Sequence, residues 1–233
     1  MSNSPPRFFA SAPVQALLAR EMAAIGPIVA GVYGNWGLLL RPQGPPPAPL
    51  APHLLGSLVD LELDAGRLRG AALACAPEEL PFASESFKLV IAQHVLEQLD
   101  DADACAAELA RVLAPEGVAL VLGFNPVGTW RPWLALNARR GGANLRLATA
   151  HAWQQRFARE EIDTSQIRFP GALWPSAELA PNAAPGALAR FGSSWLLLAR
   201  KRRSVLTPLR LRRSSRELPL KPRLAPGTQR ACA

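Results

Sequence analysis

The chain has 233 residues, 49% of them apolar, and a formal charge of +8. That length suits one domain with a sizeable core and leaves little room for a second. No run of about 18 uninterrupted apolar residues occurs, so no membrane span is expected.

In chain order, residues 1–9 hold Pro5 and Pro6 and read as a flexible start. Pro13–Ala24 places Val14, Leu17, Leu18 and Met22 at helical spacing, which predicts an amphipathic helix ended by Gly26 and Pro27. Ile28–Leu40 is apolar and interrupted by glycines, a pattern for a strand, a turn and a second short apolar element. Arg41–Pro52 contains six prolines and reads as a stiff surface linker. Ser57–Leu63 alternates apolar and polar residues, as a strand would, and Leu68–Ala74 is a further strand candidate. Phe87–Gln93 reads as a buried strand. A helix capped by Asp100 or Asp101 runs to Leu113, with Cys105, Leu109 and Val112 on one face. Ala114-Pro115-Glu116-Gly117 turns the chain into another strand, Val118–Phe124. Strand, helix and strand of these lengths form a right-handed βαβ unit. Thr149 caps a helix to Ala158, Ile162–Phe169 is a strand, and Pro170–Ala189 is a long loop with one helical turn. Phe191–Ala199 closes the fold.

Charge and cysteines bound the setting. From Arg200 to Arg230 eleven basic residues face Glu217 alone, a charge of +10, which leaves −2 for residues 1–199. The folded part is therefore not basic, and residues 201–233 read as a disordered tail able to contact polyanions or nucleic acid. Cys75, Cys105 and Cys232 are odd in number and contain no C-x-x-C, which fits a reducing cytoplasm rather than a disulfide framework. The start lacks a basic stretch followed by an apolar core, so no signal peptide is expected. His53, His94 and His151 lack metal-ligand spacing.

The segment Leu80-Pro81-Phe82 through Phe87-Lys88-Leu89-Val90 to His94-Val95-Leu96-Glu97-Gln98-Leu99 resembles the "LPF…SFD-x-V…HVLEHL" block of class I S-adenosylmethionine-dependent methyltransferases. Glu108-Leu109-Ala110-Arg111-Val112-Leu113-Ala114-Pro115-Glu116-Gly117 is similar to that family's "E-x-x-RVL-x-PGG" turn. A narrower likeness, in Gly123-Phe124-Asn125-Pro126 with Trp130 and in Leu196–Arg202, is to an uncharacterised bacterial group of methyltransferase-like proteins. The resemblance implies an α/β Rossmann-like fold, mostly parallel with an antiparallel last strand and a degenerate N-terminal part. It implies a domain over residues 10–200 and S-adenosylmethionine as cofactor.

The departures are as informative as the matches. The family's acidic, glycine-rich loop has one candidate here, Gly31–Gly37, interleaved with Tyr33 and Trp36 and preceded by no acid. The ribose acid is left open among Asp60, Glu62 and Asp64. The adenine-side acid falls near Ala76 and Pro77, with Glu78 or Glu79 as substitutes. Lys88 replaces the "SFD" acid. The resemblance puts Gly34 and Gly37 at the methionine end, Glu79 and Leu80 near adenine, and Gln93 and His94 at the reacting edge. His94 is the catalytic candidate, expected at the mouth of the crevice, against the plainer reading of a helix cap. Asn125 and Trp130 are substrate-side candidates, against an Asx turn and a packing residue. Glu97 and Glu108 read as solvated helix faces or caps. The functional expectation is a methyltransferase of unknown substrate with an eroded cofactor site, its cofactor binding weak or lost. The rivals are a binding module that keeps the fold without the activity, and a nucleic-acid-associated protein acting through its tail.

Overall fold

A computed structural model describes residues 8–45, 50, 52–177 and 186–202. Eight strands make one sheet: β1 (Tyr33–Pro42), β2 (Leu54–Asp64), β3 (Arg67–Arg69), β4 (Ala74–Cys75), β5 (Phe87–Gln93), β6 (Leu113–Phe124), β7 (Ile162–Arg168) and β8 (Ser194–Lys201). Their order is β4-β3-β2-β1-β5-β6-β8-β7. The pairings among β2, β1, β5 and β6 are parallel. β8 runs antiparallel to β6, and β7 antiparallel to β8.

Helices cover both faces. α1 (Ala12–Val29) lays Met22, Ile25 and Val29 on one face against Leu39, Leu89, Ile91 and Leu120. α2 (Ala102–Val112) and α4 (Ala150–Arg159) lay Cys105, Leu109, Val112, Trp153 and Phe157 on the other, against Leu38, Leu40, Val90 and Val121. Alternate residues of each central strand therefore feed opposite layers, as the two-residue strand period requires. Both helix caps read from the sequence are present: Asp101 accepts from the Ala104 amide at 2.9 Å, and Thr149 from the Ala152 amide at 3.2 Å.

Three local expectations are corrected and one element is added. α1 does not stop at Gly26 and Pro27 but runs to Val29. A proline in the last turn forfeits one hydrogen bond, and burial of Ile25 and Val29 carries the helix past it. Ile28–Leu40 yields no two-element unit: the helix end passes through Ala30–Val32 into the single strand β1. The candidate strand over Leu68–Ala74 is two short strands, reached from β2 by a tight turn with Ala65 at φ 49° and Gly66 at φ 77°. α3 (Arg131–Arg140) falls in a stretch to which the sequence reading assigned no element; Pro132 stands in its first turn, where the missing N–H is not needed. The basic tail lies outside the described residues apart from Lys201 and Arg202.

The N-terminal half is the part that is cut down. No helix occurs among the described residues between β1 and β2, and β2 turns back as a hairpin instead of crossing over. At the opposite end Arg111 staples the Leu80–Ser84 segment, donating to the carbonyls of Leu80 and Phe82 and to the Ser84 hydroxyl. Glu108 holds Arg111 at 2.7 Å and accepts from the Leu80 amide at 2.9 Å. Arg111 holds the Glu108 carboxyl below its usual range. The shared sequence block is thus partly a structural clamp.

Candidate functional site

In an open α/β sheet, ligands lie outside the carboxyl ends of the strands. Here that edge is formed by Pro42, Asp64, Gln93 and Phe124. A crevice of about 480 Å³ opens beside it, between Gln43 after β1, Leu63 and Asp64 at the end of β2, Gln98 beyond β5, and Gly141–Asn144 after α3. Phe8 and Phe9 form another wall. The volume falls within the usual range for small-molecule sites. Gly141 allows this wall to close: a Cβ there would lie 2.7 Å from the Phe8 backbone.

The N-terminal segment also seals what lies behind the crevice. His94 takes the left-handed backbone at φ 50° and is fully enclosed. Its ring lies 4.1 Å from that of Phe124, centroid to centroid, with Phe9 beyond at 6.4 Å. Its Nδ1 meets Glu97 at 2.6 Å and its Nε2 meets Glu21 of α1 at 3.0 Å. Gln93 donates to the same Glu21 at 3.0 Å and to the Leu18 carbonyl at 3.2 Å. Glu97 accepts from the Phe124 amide at 2.9 Å. Burial pushes the His94 pKa down, but the two carboxyl groups outweigh it and raise it to about 10. The ring is therefore an imidazolium donating from both nitrogens.

This placement corrects the site read from the sequence. His94 is not at the mouth of the crevice but behind it, because α1 and Phe9 fold over the end of β5. Gln93 is buried with it. Gly34 and Gly37 lie towards the opposite edge of the sheet; Gly37 pairs with Leu89, and a Cβ on Gly34 would meet Lys88. Lys88 to His94 spans about 20 Å of strand, so neither glycine shares a site with His94. Glu79 is exposed in the turn after β4, and Leu80 is in the core beneath the Glu108–Arg111 clamp. Asn125 forms an Asx turn: it accepts from the Val127 amide and donates to the Arg190 and Gly192 carbonyls. Trp130 is buried among Phe124, Leu134 and the N-terminal phenylalanines. Glu97, read as a solvated face, is 5% exposed.

The acid left open is narrowed by geometry. Asp60 and Glu62 both pair with Arg41, at 2.9 and 2.8 Å. Asp64, the last residue of β2, lines the crevice, with Arg69 at 3.6 Å. Glu21, Gln98 and Phe9 were not foreseen as site neighbours. Glu21 carried a signal, since an acid between Leu17, Leu18 and Ile25 lies on the apolar stripe of its helix.

A mostly parallel sheet with helices on both faces and a crevice at its carboxyl edge defines a Rossmann-like α/β protein. Residues 55–121 match the family model described as a methyltransferase domain. A malonyl-[acyl-carrier protein] O-methyltransferase from Laribacter hongkongensis is 39% identical over 83 residues, covering 33% of this chain and 28% of that protein. A ubiquinone/menaquinone biosynthesis C-methyltransferase from Cupriavidus pinatubonensis is 38% identical over 73 residues, 31% of this chain and 29% of that one. The matches thus span less than a third of the length of these curated relatives. Among solved structures, an S-adenosylmethionine-dependent methyltransferase from Thermotoga maritima superposes with a TM-score of 0.52 at 13% identity, over 81% of this chain and 92% of that one. A Bacillus halodurans structure gives 0.50 at 16% identity, over 78% and 99%. At such identities the structural likeness shows the fold. The matched segment, residues 55–121, is similar to class I methyltransferase domains, a family whose cofactor is S-adenosylmethionine.

The residues fit that cofactor unequally. Asp64 stands at the end of β2, where the family's acid accepts the ribose hydroxyls, and it faces the crevice. At the methionine end no equivalent acid lines the crevice among the described residues. After β1 the chain reads Gln43-Gly44-Pro45, and a Cβ on Gly44 would meet Gln15 at 3.3 Å and the Phe9 carbonyl at 3.6 Å. That glycine serves packing against α1, and no helix N-terminus follows it among the described residues. Among the described residues no cluster of His, Cys, Asp and Glu is placed to hold a metal, and no helix is long and apolar enough to cross a membrane.

Proposed function

We propose that the chain is an S-adenosylmethionine-dependent methyltransferase that holds its cofactor chiefly by the nucleoside end, and therefore weakly. The observation that carries this reading is Asp64, set at the carboxyl end of β2 on a crevice of about 480 Å³. The bound cofactor supplies the methyl group. The protein's contribution is to orient an acceptor for in-line attack, a proximity effect that needs no catalytic base from His94. The enclosed His94 and Gln93 act by fixing α1 over the sheet edge, and so shape the wall that Phe8 and Phe9 present. Calorimetric titration with S-adenosylmethionine tests the reading. Binding in the tens of micromolar or weaker is the expected result, and Asp64→Asn lowers it further, since an unpaired ribose costs about 1–3 kcal/mol. Equal binding by the wild type and the variant would oppose it.

A second reading is a binding module that has kept the fold and lost the transfer. The reduced connection between β1 and β2, where the family places its glycine loop, favours it. A folded protein that gives no heat and no thermal shift with millimolar S-adenosylmethionine is its signature. The basic tail is proposed to contact polyanions weakly in the cytoplasm. Loss of heparin retention on removing residues 203–233 is the expected result, and unchanged retention would count against the contact.

A further inference from the structure

The arginines of α3 have no role in the cofactor site. From Pro126 to Arg159 the sequence holds six arginines and no acidic residue. Arg146 pairs with Asp100 at 2.6 Å and Arg156 with Asp103 at 3.2 Å. Arg131, Arg139, Arg140 and Arg159 have no carboxylate partner among the described residues. Two of them, Arg131 and Arg139, bracket a groove of about 190 Å³ between α3 and the following loop. Leu134, Ala135, Leu145 and Leu147 contribute an apolar strip to a lining that also holds Arg131, Arg139 and Asn144. The two arginines are eight residues apart, about 12 Å along the helix. Ala143 and Asn144 line both this groove and the cofactor crevice, so the two cavities share a wall.

We propose that this groove binds a free, monomeric amphiphile, an apolar chain ending in a carboxylate or phosphate, as the substrate-side ligand of the protein. Charge complementarity sets the head: a guanidinium with no carboxylate partner beside a strip of leucine and alanine favours an anion joined to an apolar chain, and neither alone uses both features. Concavity sets the source. A chain laid between the helix and the loop fills the groove, whereas a flat bilayer would touch only its rims. The shared wall sets the direction, with the anionic head at Arg139, beside the crevice, and the chain running towards Arg131. The assignment of this ligand as the methyl acceptor's class rests on the proposed methyltransferase activity; its binding does not.

Titration of the full chain with decanoate and decyl phosphate below their micelle-forming range tests the proposal, without cofactor present. Decanol and decyltrimethylammonium serve as uncharged and cationic controls, and vesicles rich in phosphatidylglycerol as the membrane arm. Saturable binding of both anions is expected, with decanol weaker by about tenfold or more. Arg139→Gln removes the preference for the anions, and Ala135→Trp, which fills the groove from an exposed helix position, lowers binding of every chain while the melting temperature holds. Equal binding of all four amphiphiles, indifference to both substitutions, or association with vesicles only would overturn it. If decanoate binds as described and S-adenosylmethionine does not, the groove stands and the methyltransferase reading falls. If the cofactor binds and decanoate does not, the reverse holds.

Discussion

Glu21, His94 and Glu97 place three ionisable groups in the interior, where removing one partner of a buried pair costs about 3–5 kcal/mol. Glu21→Ala is expected to destabilise the fold by that order in denaturant titration, far more than an exposed acid would. The His94 pKa is raised from 6.5 to about 10, so its contribution is fully present below pH 6.5 and is lost as pH rises through about 10. The melting temperature of the wild type should fall between pH 7 and 10, and that of Glu21→Gln should fall less. A flat profile in the wild type would remove the imidazolium from the account. Burial similarly pushes the Cys105 thiol up to about 12, helped by Glu78 and Glu108. Native Cys105 is expected to resist maleimide at pH 7.5, as read by mass spectrometry of its peptide, and to react on unfolding. At this scale the sequence was legible in part. The block around His94 announced a special position, but its role depends on Glu21, which lies 73 residues earlier and reaches it only through the packing of α1.

Among the elements, β5, α2, β6 and α4 were legible because period, cap and turn residues all point the same way. Two elements were not. α3 carries Pro132 in its first turn, where a proline reads locally as a stop, and β1 takes in Gly34 and Gly37, two of the three glycines that resembled a cofactor loop. Gly37 belongs to the strand interior because Leu55 and Leu58 occupy the space a side chain would need, at 2.8 and 2.9 Å from a Cβ. The hairpin between β2 and β3 was hidden by its own chemistry, since Ala65 rather than glycine or asparagine takes the left-handed position at φ 49°. A left-handed conformation costs an alanine about 1 kcal/mol. Ala65→Gly is therefore expected to raise stability by up to about 1 kcal/mol in chemical denaturation. A loss of similar size would show that the turn differs from the one described.

For the molecule as a whole, the order of strands keeps a Rossmann-like carboxyl edge, and no helix occurs among the described residues between β1 and β2. The fold class was legible from the βαβ block, whose motif spans only a fifth or so of the chain but dictates parallel strands and a crossover helix. The site was less legible, because its walls come from Phe8, Asp64, Gln98 and Asn144, residues brought together only by the tertiary fold. On the proposed function, the crevice grips the nucleoside half of the cofactor and little else. The most direct test compares the affinities of the protein for S-adenosylmethionine, 5′-methylthioadenosine and methionine by calorimetry. Comparable affinity for the first two, with none for methionine, is the predicted result. A methylthioadenosine affinity a hundredfold below that of the whole cofactor, a gap of about 2.7 kcal/mol, would contradict it.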